Sequence, residues 1–145
     1  MLRLLHRWSA LFAVLWAGII MVLSVMPGHE LPEINIWEPD KVAHVIVYAV
    51  LGLLSGLAIH RYKSGQSEPG IDRSRSENLR RKAGLTALFV GVAYGVGIEI
   101  VQGTLIPSRV FDLFDILANF LGSLAGFWAY LYTALRLERS GALSA

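Results

Sequence analysis

Four apolar stretches, each long enough to cross a lipid bilayer, constrain the fold of this chain more than any other feature. They occupy about residues 8–26, 41–59, 83–105 and 111–135. A soluble core does not need several apolar runs of about 20 residues, whereas bilayer spans do. The composition agrees, because 54% of the residues are hydrophobic and only 17% are charged. The sequence therefore predicts an all-α membrane protein, a four-transmembrane-helix bundle in which residues 1–145 form one domain.

The first apolar stretch follows a short basic start that contains Arg3 and Arg7. A basic start followed by an apolar run is also the pattern of a secretory signal peptide. This run is longer than the apolar region of most signal peptides, no small-x-small cleavage site follows it, and further spans come later. We therefore expect a retained transmembrane helix that ends at Pro27-Gly28.

The basic residues fall almost entirely on one side of the predicted bundle. Four spans place both chain ends and the polar linker 60–82 on the same side, and the positive-inside rule makes that side cytoplasmic. A basic linker can also bind nucleic acid, but cytoplasmic retention explains it more simply, so no nucleic-acid partner is expected. Eleven of the thirteen Lys and Arg residues lie on this side: Arg3, Arg7, Arg61, Lys63, Arg73, Arg75, Arg80, Arg81, Lys82, Arg136 and Arg139.

The fourth helix is predicted to have one polar face and one apolar face. Its polar and glycine positions recur at helical spacing, and the opposite face holds only large apolar side chains, which suits contact with lipid. The polar face must therefore turn toward protein or water. The polar face is formed by Asp112, Asp115, Asn119, Gly122 and Gly126.

Polar groups on three predicted helices fall at the same depth in the membrane. All lie within about 10–13 Å of the outer ends of their helices, at 1.5 Å per residue. Intramembrane charges are costly, so their concentration in one leaflet predicts a single polar cavity open to the extracytoplasmic side. The members are Asp40, Lys41, His44 and Tyr48 on helix two, Glu99 and Gln102 on helix three, and Arg109, Asp112, Asp115 and Asn119 on helix four.

Two kinds of role are predicted for these residues. His44 paired with Glu99 or Asp115 has the chemistry of a general acid–base pair, so these three are the candidate catalytic residues. The remaining polar residues are candidate ligand-binding residues, with cations suited to phosphate or carboxylate: Asp40, Lys41, Tyr48, Gln102, Arg109, Asp112 and Asn119.

Simpler interpretations stand beside these roles. Asp40 and Asp112 are well placed as helix N-caps, and Lys41 can extend its amine to the interface. His44 as a buried, hydrogen-bonded histidine, Tyr48 as a packed tyrosine and Arg109 as an interfacial anchor are the corresponding structural interpretations.

No cofactor or metal is assigned from the sequence. The absence of cysteine excludes a disulfide framework and a thiolate metal site. Imidazole and carboxylate groups together can bind a divalent metal, but no helix carries a dense pair such as His-x-x-x-His, so a metal is the less favoured interpretation.

Small residues on three helices predict close helix contacts. Gly52 and Gly56 form a small-xxx-small pair on helix two. Gly95, Gly122 and Gly126 are most simply packing positions of the same kind.

Three polar motifs in sequence order resemble those of the VanZ-like family of bacterial membrane proteins. They are Asp40-Lys41-x-x-His44-x-x-x-Tyr48, then Tyr94-Gly95-x-x-x-Glu99-x-x-Gln102, then Arg109-x-x-Asp112-x-x-Asp115-x-x-x-Asn119-x-x-Gly122. The resemblance covers about residues 36–135. It implies a multi-pass protein of the bacterial cytoplasmic (inner) membrane and a link to the cell envelope, since the family is named for a teicoplanin-resistance protein. It implies no particular reaction.

Three classes of function follow. The first is a protein that binds or modifies an anionic, amphipathic cell-envelope molecule, such as a lipid-linked precursor, with a potential link to glycopeptide resistance. The second is a membrane transferase or hydrolase acting on a lipid-linked substrate. The third is a structural membrane protein held together by a buried ion-pair network. The expected partner is the lipid bilayer, and the sequence does not predict an oligomeric state.

Overall fold

The computed structural model describes residues 2–26, 39–65, 73–107 and 111–139. These residues form four helices and no strand: α1 (Leu2–Val25), α2 (Pro39–Gly65), α3 (Arg73–Leu105) and α4 (Leu113–Arg139). Each helix contains a segment long and apolar enough to cross a membrane. The predicted all-helical architecture, with four helices long and apolar enough to span a membrane, is confirmed for the described residues.

Two helices extend into the segment that was predicted to be a polar linker. α2 continues to Gly65 and α3 already begins at Arg73. Tertiary contacts explain the extension of α3. Ser76 Oγ and Arg80 Nη1 both donate to the Glu138 carboxylate on α4, at 3.0 and 2.5 Å. Arg, Leu and Lys residues in this segment also favour helix, which a prediction from polarity alone overlooks.

Side-chain contacts arrange the helices up and down. Trp16 Nε1 donates to the Val47 carbonyl at 2.8 Å, and Tyr94 Oη donates to the Ala17 carbonyl at 2.7 Å. These bonds fix α1 against α2 and α3. The end of α1, the start of α2, the end of α3 and the start of α4 then lie together, and we call this the His44 end. The opposite end, where α2 finishes, is the His60 end.

The two faces of α4 are arranged as predicted from Asp115 onward, whereas Asp112 precedes the helix and is about one-third exposed. The polar and small positions are buried against the other helices, whereas large apolar side chains on the opposite face are exposed. A polar interior and an apolar exterior suit a lipid surrounding. The buried set includes Asp115, Asn119, Gly122 and Gly126, and the exposed set includes Leu113, Phe114, Leu117 and Leu121.

Glycines allow α2 and α4 to approach closely. A Cβ built on Gly126 would lie 2.5 Å from the Ala49 carbonyl oxygen and 2.9 Å from the Gly52 Cα. Both neighbours are backbone atoms, which cannot move aside without separating the helices. The predicted packing role of these glycines is confirmed.

Candidate functional site

Three helices bring a histidine and two carboxylates together at the His44 end. One ligand atom from each of His44, Glu99 and Asp115 lies within 4.8 Å of the others. Glu99 is fully buried and Asp115 is 8% exposed. The three predicted catalytic residues therefore form one compact cluster, and each comes from a different helix.

Asn119 positions the histidine of this cluster. His44 Nδ1 lies 2.8 Å from Asn119 Oδ1, and because an amide oxygen only accepts hydrogen bonds, Nδ1 is the donor. Gly95 makes room for Asn119, since a Cβ at that position would lie 2.9 Å from the Asn119 Cβ.

Glu99 makes one long hydrogen bond inside the bundle. Its Oε2 accepts a long hydrogen bond from the Asp112 backbone N–H at 3.5 Å. Its Oε1 is buried and has no hydrogen-bond partner among the described residues. A carboxylate away from water is expensive unless positive charge or donors compensate it, and here a second carboxylate lies beside it. The arrangement needs a proton or a bound cation.

Asp112 has a structural role that the sequence offered as an alternative. Its Oδ1 accepts from the Phe114 backbone N–H at 2.7 Å, which is the hydrogen bond of an N-cap residue. Its Oδ2 lies 3.7 Å from Lys41 Nζ, with both side chains about one-third exposed. Such an exposed ion pair contributes about 0–1 kcal/mol, so Lys41 is available to another anion at little cost.

Two further predicted residues support the cluster from its sides. Gln102 Nε2 donates to the Ser24 carbonyl at 3.0 Å and thereby ties α3 to α1. Tyr48 is 1% exposed, and its ring lies nearly parallel to that of His44, with centroids 6.5 Å apart. Asp40 lies in the first turn of α2, but its side chain is outside the described residues, as is all of Arg109.

An apolar groove runs beside the cluster on the outer surface of the bundle. It lies between α2 and α4, has a volume of about 300 Å³, and among the described residues Lys41 is its one charged lining residue. The polar side chains of the cluster pack against one another, and the open space next to them is this groove. The remaining lining residues are Val42, Val45, Ile46, Phe114, Leu117, Ala118 and Leu121.

The His60 end contains a second polar cluster that the sequence pattern did not reveal. Tyr130 is fully buried, and its hydroxyl lies 3.1 Å from the Arg80 carbonyl and 2.9 Å from His60 Nδ1. The hydroxyl has one hydrogen, which it donates to the carbonyl, so it accepts from the histidine. The sequence pattern places His60 and Arg80 in the predicted polar linker 60–82. A usable signal was present, because Tyr130 continues the four-residue spacing of Gly122 and Gly126.

Tyr130→Phe is expected to lower the free energy of unfolding by about 1–3 kcal/mol, because it leaves the Arg80 carbonyl and the His60 N–H without this partner. Thermal unfolding in detergent measures the effect. Tyr132→Phe is the matched control, since Tyr132 is exposed on the same helix and contacts only Arg136 in the described hydrogen bonds. Equal midpoints for the two variants would contradict a stabilising role for the His60-end cluster.

A known family of proteins matches most of the chain. The model of the VanZ/LLP1 family matches residues 5–136. The chain belongs to the VanZ/LLP1 family. The resemblance seen in the polar motifs is thereby confirmed, and this VanZ/LLP1 chain is a multi-helix membrane protein of that type.

A eukaryotic relative extends the comparison. An uncharacterized protein of Schizosaccharomyces pombe is 37% identical over 122 residues, which is 83% of this chain and 64% of the relative. The VanZ/LLP1 chain therefore spans somewhat less than two thirds of that relative. A yeast relative means that similarity of this kind does not by itself fix a bacterial membrane. No solved structure matches the chain.

Proposed function

We propose that this VanZ/LLP1 protein binds the anionic head group of an amphipathic membrane molecule at its His44 end. The observation that carries the proposal is the position of Lys41, a charged residue that lines an otherwise apolar groove on the lipid-facing surface. A hydrocarbon chain in the groove would bring its head group to a cation. Lys41 exchanges its weak pair with Asp112 for a phosphate or carboxylate of the ligand.

The side of the membrane follows from the charge distribution. The described basic residues concentrate at the His60 end, where Arg75, Arg80, Lys82 and Arg136 lie. The positive-inside rule then puts both termini in the cytoplasm and the His44 end at the outer leaflet. In a bacterial inner membrane this leaflet holds phospholipids and lipid-linked wall precursors. Binding a wall precursor there would connect the protein to glycopeptide resistance.

The chemistry favours a glycerophospholipid as the first ligand to test. Groove and cation together recognise only an acyl chain and an anionic head group, which phospholipids of bacteria and yeast share. A relative in a yeast suits a ligand of that general kind. A lipid-linked precursor has the same two features, and direct comparison of the two ligands distinguishes them.

Lys41→Gln is expected to weaken the binding of an anionic phospholipid roughly tenfold or more, as loss of a charge-assisted hydrogen bond does. Native mass spectrometry of the detergent-purified protein, titrated with phosphatidylglycerol and phosphatidylcholine, measures it. Lys82→Gln is the matched control, because Lys82 is exposed at the opposite end. Equal binding of the two lipids by wild type, or equal binding of phosphatidylglycerol by wild type and Lys41→Gln, would contradict the proposal.

A second candidate function is chemistry on the bound molecule. It is favoured by the convergence of His44, Glu99 and Asp115 within 4.8 Å. A histidine next to two carboxylates has the components of general acid–base catalysis. A transferase or hydrolase acting on a lipid-linked substrate is the reaction class that this set would serve.

A further inference from the structure

The cluster at the His44 end has the composition of a divalent-metal site. One imidazole and two carboxylates supply the nitrogen and oxygen ligands that zinc and similar transition metals accept. The three ligand atoms lie within 4.8 Å of one another. Ligands of a common ion are at most about 4.4 Å apart, twice a metal–oxygen distance, so small side-chain rotations close the site.

A separate observation points to a ligand at this position. Glu99 Oε1 is fully buried and has no hydrogen-bond partner among the described residues, although Glu99 faces the other two members of the cluster. A cation at this position would give Glu99 Oε1 the partner that the described residues do not supply. A divalent cation also offsets the negative charge of two neighbouring carboxylates, which is costly to bury inside a membrane.

The surroundings of the histidine also suit metal binding. Metal-bound histidines usually donate their second ring N–H to an oxygen, which fixes the ring orientation. His44 Nδ1 donates to Asn119 Oδ1 at 2.8 Å, so Nε2 is the ring nitrogen that would bind a metal. Asn119 is 1% exposed and held on the same face of α4 as Asp115.

We propose that His44, Glu99 and Asp115 bind one divalent transition-metal ion, of which Zn²⁺ is the best match, between α2, α3 and α4. This site is independent of the lipid groove and does not require that a lipid binds. Three protein ligands leave a coordination position open, as in metal sites that polarise a phosphate or a water molecule. The Asp112 backbone, 3.5 Å from Glu99, connects the site to the position of Lys41.

The test is metal binding by the full chain in detergent. The protein is stripped with a chelator and titrated with Zn²⁺ by calorimetry, and with Co²⁺ while the visible absorption of coordinated cobalt is recorded. We expect one equivalent per chain for wild type. Glu99→Gln and Asp115→Asn are each expected to weaken binding about 100-fold or more, since even loss of an outer-shell partner costs 10–100-fold. Gel filtration establishes that the variants remain folded.

Two further variants keep the proposal open to contradiction. Asn119→Ala retains all three ligands and is expected to weaken Zn²⁺ binding about 10–100-fold by releasing the His44 ring. His6→Gln removes a histidine at the opposite end and should bind as wild type does. Absence of saturable binding in wild type, or wild-type affinity in both carboxylate variants, would overturn the site. The second result would mean adventitious binding at other histidines.

Discussion

Gly126→Leu is expected to destabilise the folded bundle severely by forcing two of its helices apart. A Cβ at Gly126 already approaches the Ala49 carbonyl oxygen to 2.5 Å and the Leu53 backbone N to 3.1 Å. Backbone atoms of a helix do not yield as a side chain does, so α4 must move away from α2. That movement opens the contact on which the His44-end cluster depends. Overpacking of this kind costs about 3 kcal/mol or more at its upper range.

The measurement is thermal unfolding in detergent, followed by circular dichroism, together with the gel-filtration profile. Gly97→Leu is the matched control. Gly97 lies in the C-terminal third of α3, is exposed, and a Cβ there would meet nothing within 4 Å. That variant should unfold at or slightly above the wild-type temperature, because leucine favours helix over glycine and suits a lipid-facing position. Equal unfolding temperatures for both variants would contradict the close backbone contact between α2 and α4 at Gly126.

Glu99→Gln is expected to abolish the cellular function while leaving the protein folded. The substitution keeps the shape of the side chain and removes a buried charge that has an unpartnered oxygen among the described residues. If Glu99 served mainly as part of a structural ion-pair network, removing it would cost about 3–5 kcal/mol, the usual cost of breaking a buried pair. If it serves a ligand or a reaction, stability is unchanged or increased. The two interpretations thus predict different changes in unfolding temperature.

The functional readout is a mass-spectrometric profile of envelope lipids and lipid-linked wall precursors. It compares cells that lack the protein with cells that express wild type or Glu99→Gln at equal membrane level. A molecular species that changes with wild type and not with the variant is expected, and it would identify the substrate. Glu77→Gln is the matched control, since Glu77 is an exposed carboxylate at the other end of α3. An unchanged profile in all strains would exclude the catalytic proposal, and ligand binding without chemistry would be the remaining proposal.

Helix length was the part of the fold that the sequence predicted least well. The polar character of residues 60–82 favoured a linker, yet α3 begins at Arg73 and carries Arg80 into contact with Glu138. That ion pair joins residues 58 positions apart, so no local pattern contains it. His60 and Tyr130 are 70 positions apart, so their hydrogen bond could not be predicted from a local pattern either. The helix propensity of this segment can be read from its residue types. Its contact with Glu138, which stabilises the start of α3, cannot.

The candidate site was predictable to a greater extent because the membrane restricts where polar groups can lie. A carboxylate such as Glu99 within an apolar helix must face other helices, and spacing along α4 places Asp115 and Asn119 on one face. Polar residues that lie at the same depth in the membrane on different helices are then expected to contact one another. Residue types alone did not distinguish a ligand from a cap, and Asp112 is a cap as well as a partner of Lys41.

The sequence by itself determined that the chain forms four apolar helices, that its polar residues gather at one end, and that its basic residues gather at the other. Hydrophobicity and helical periodicity are local properties, and the bilayer converts them directly into spans and depth. Only the tertiary structure decided which side chains touch. It selected His44, Glu99 and Asp115 as one cluster, placed Asn119 against the histidine, and opened the groove at Lys41. Those contacts depend on the rotation and close approach of the helices, which the glycines permit and which no single segment encodes.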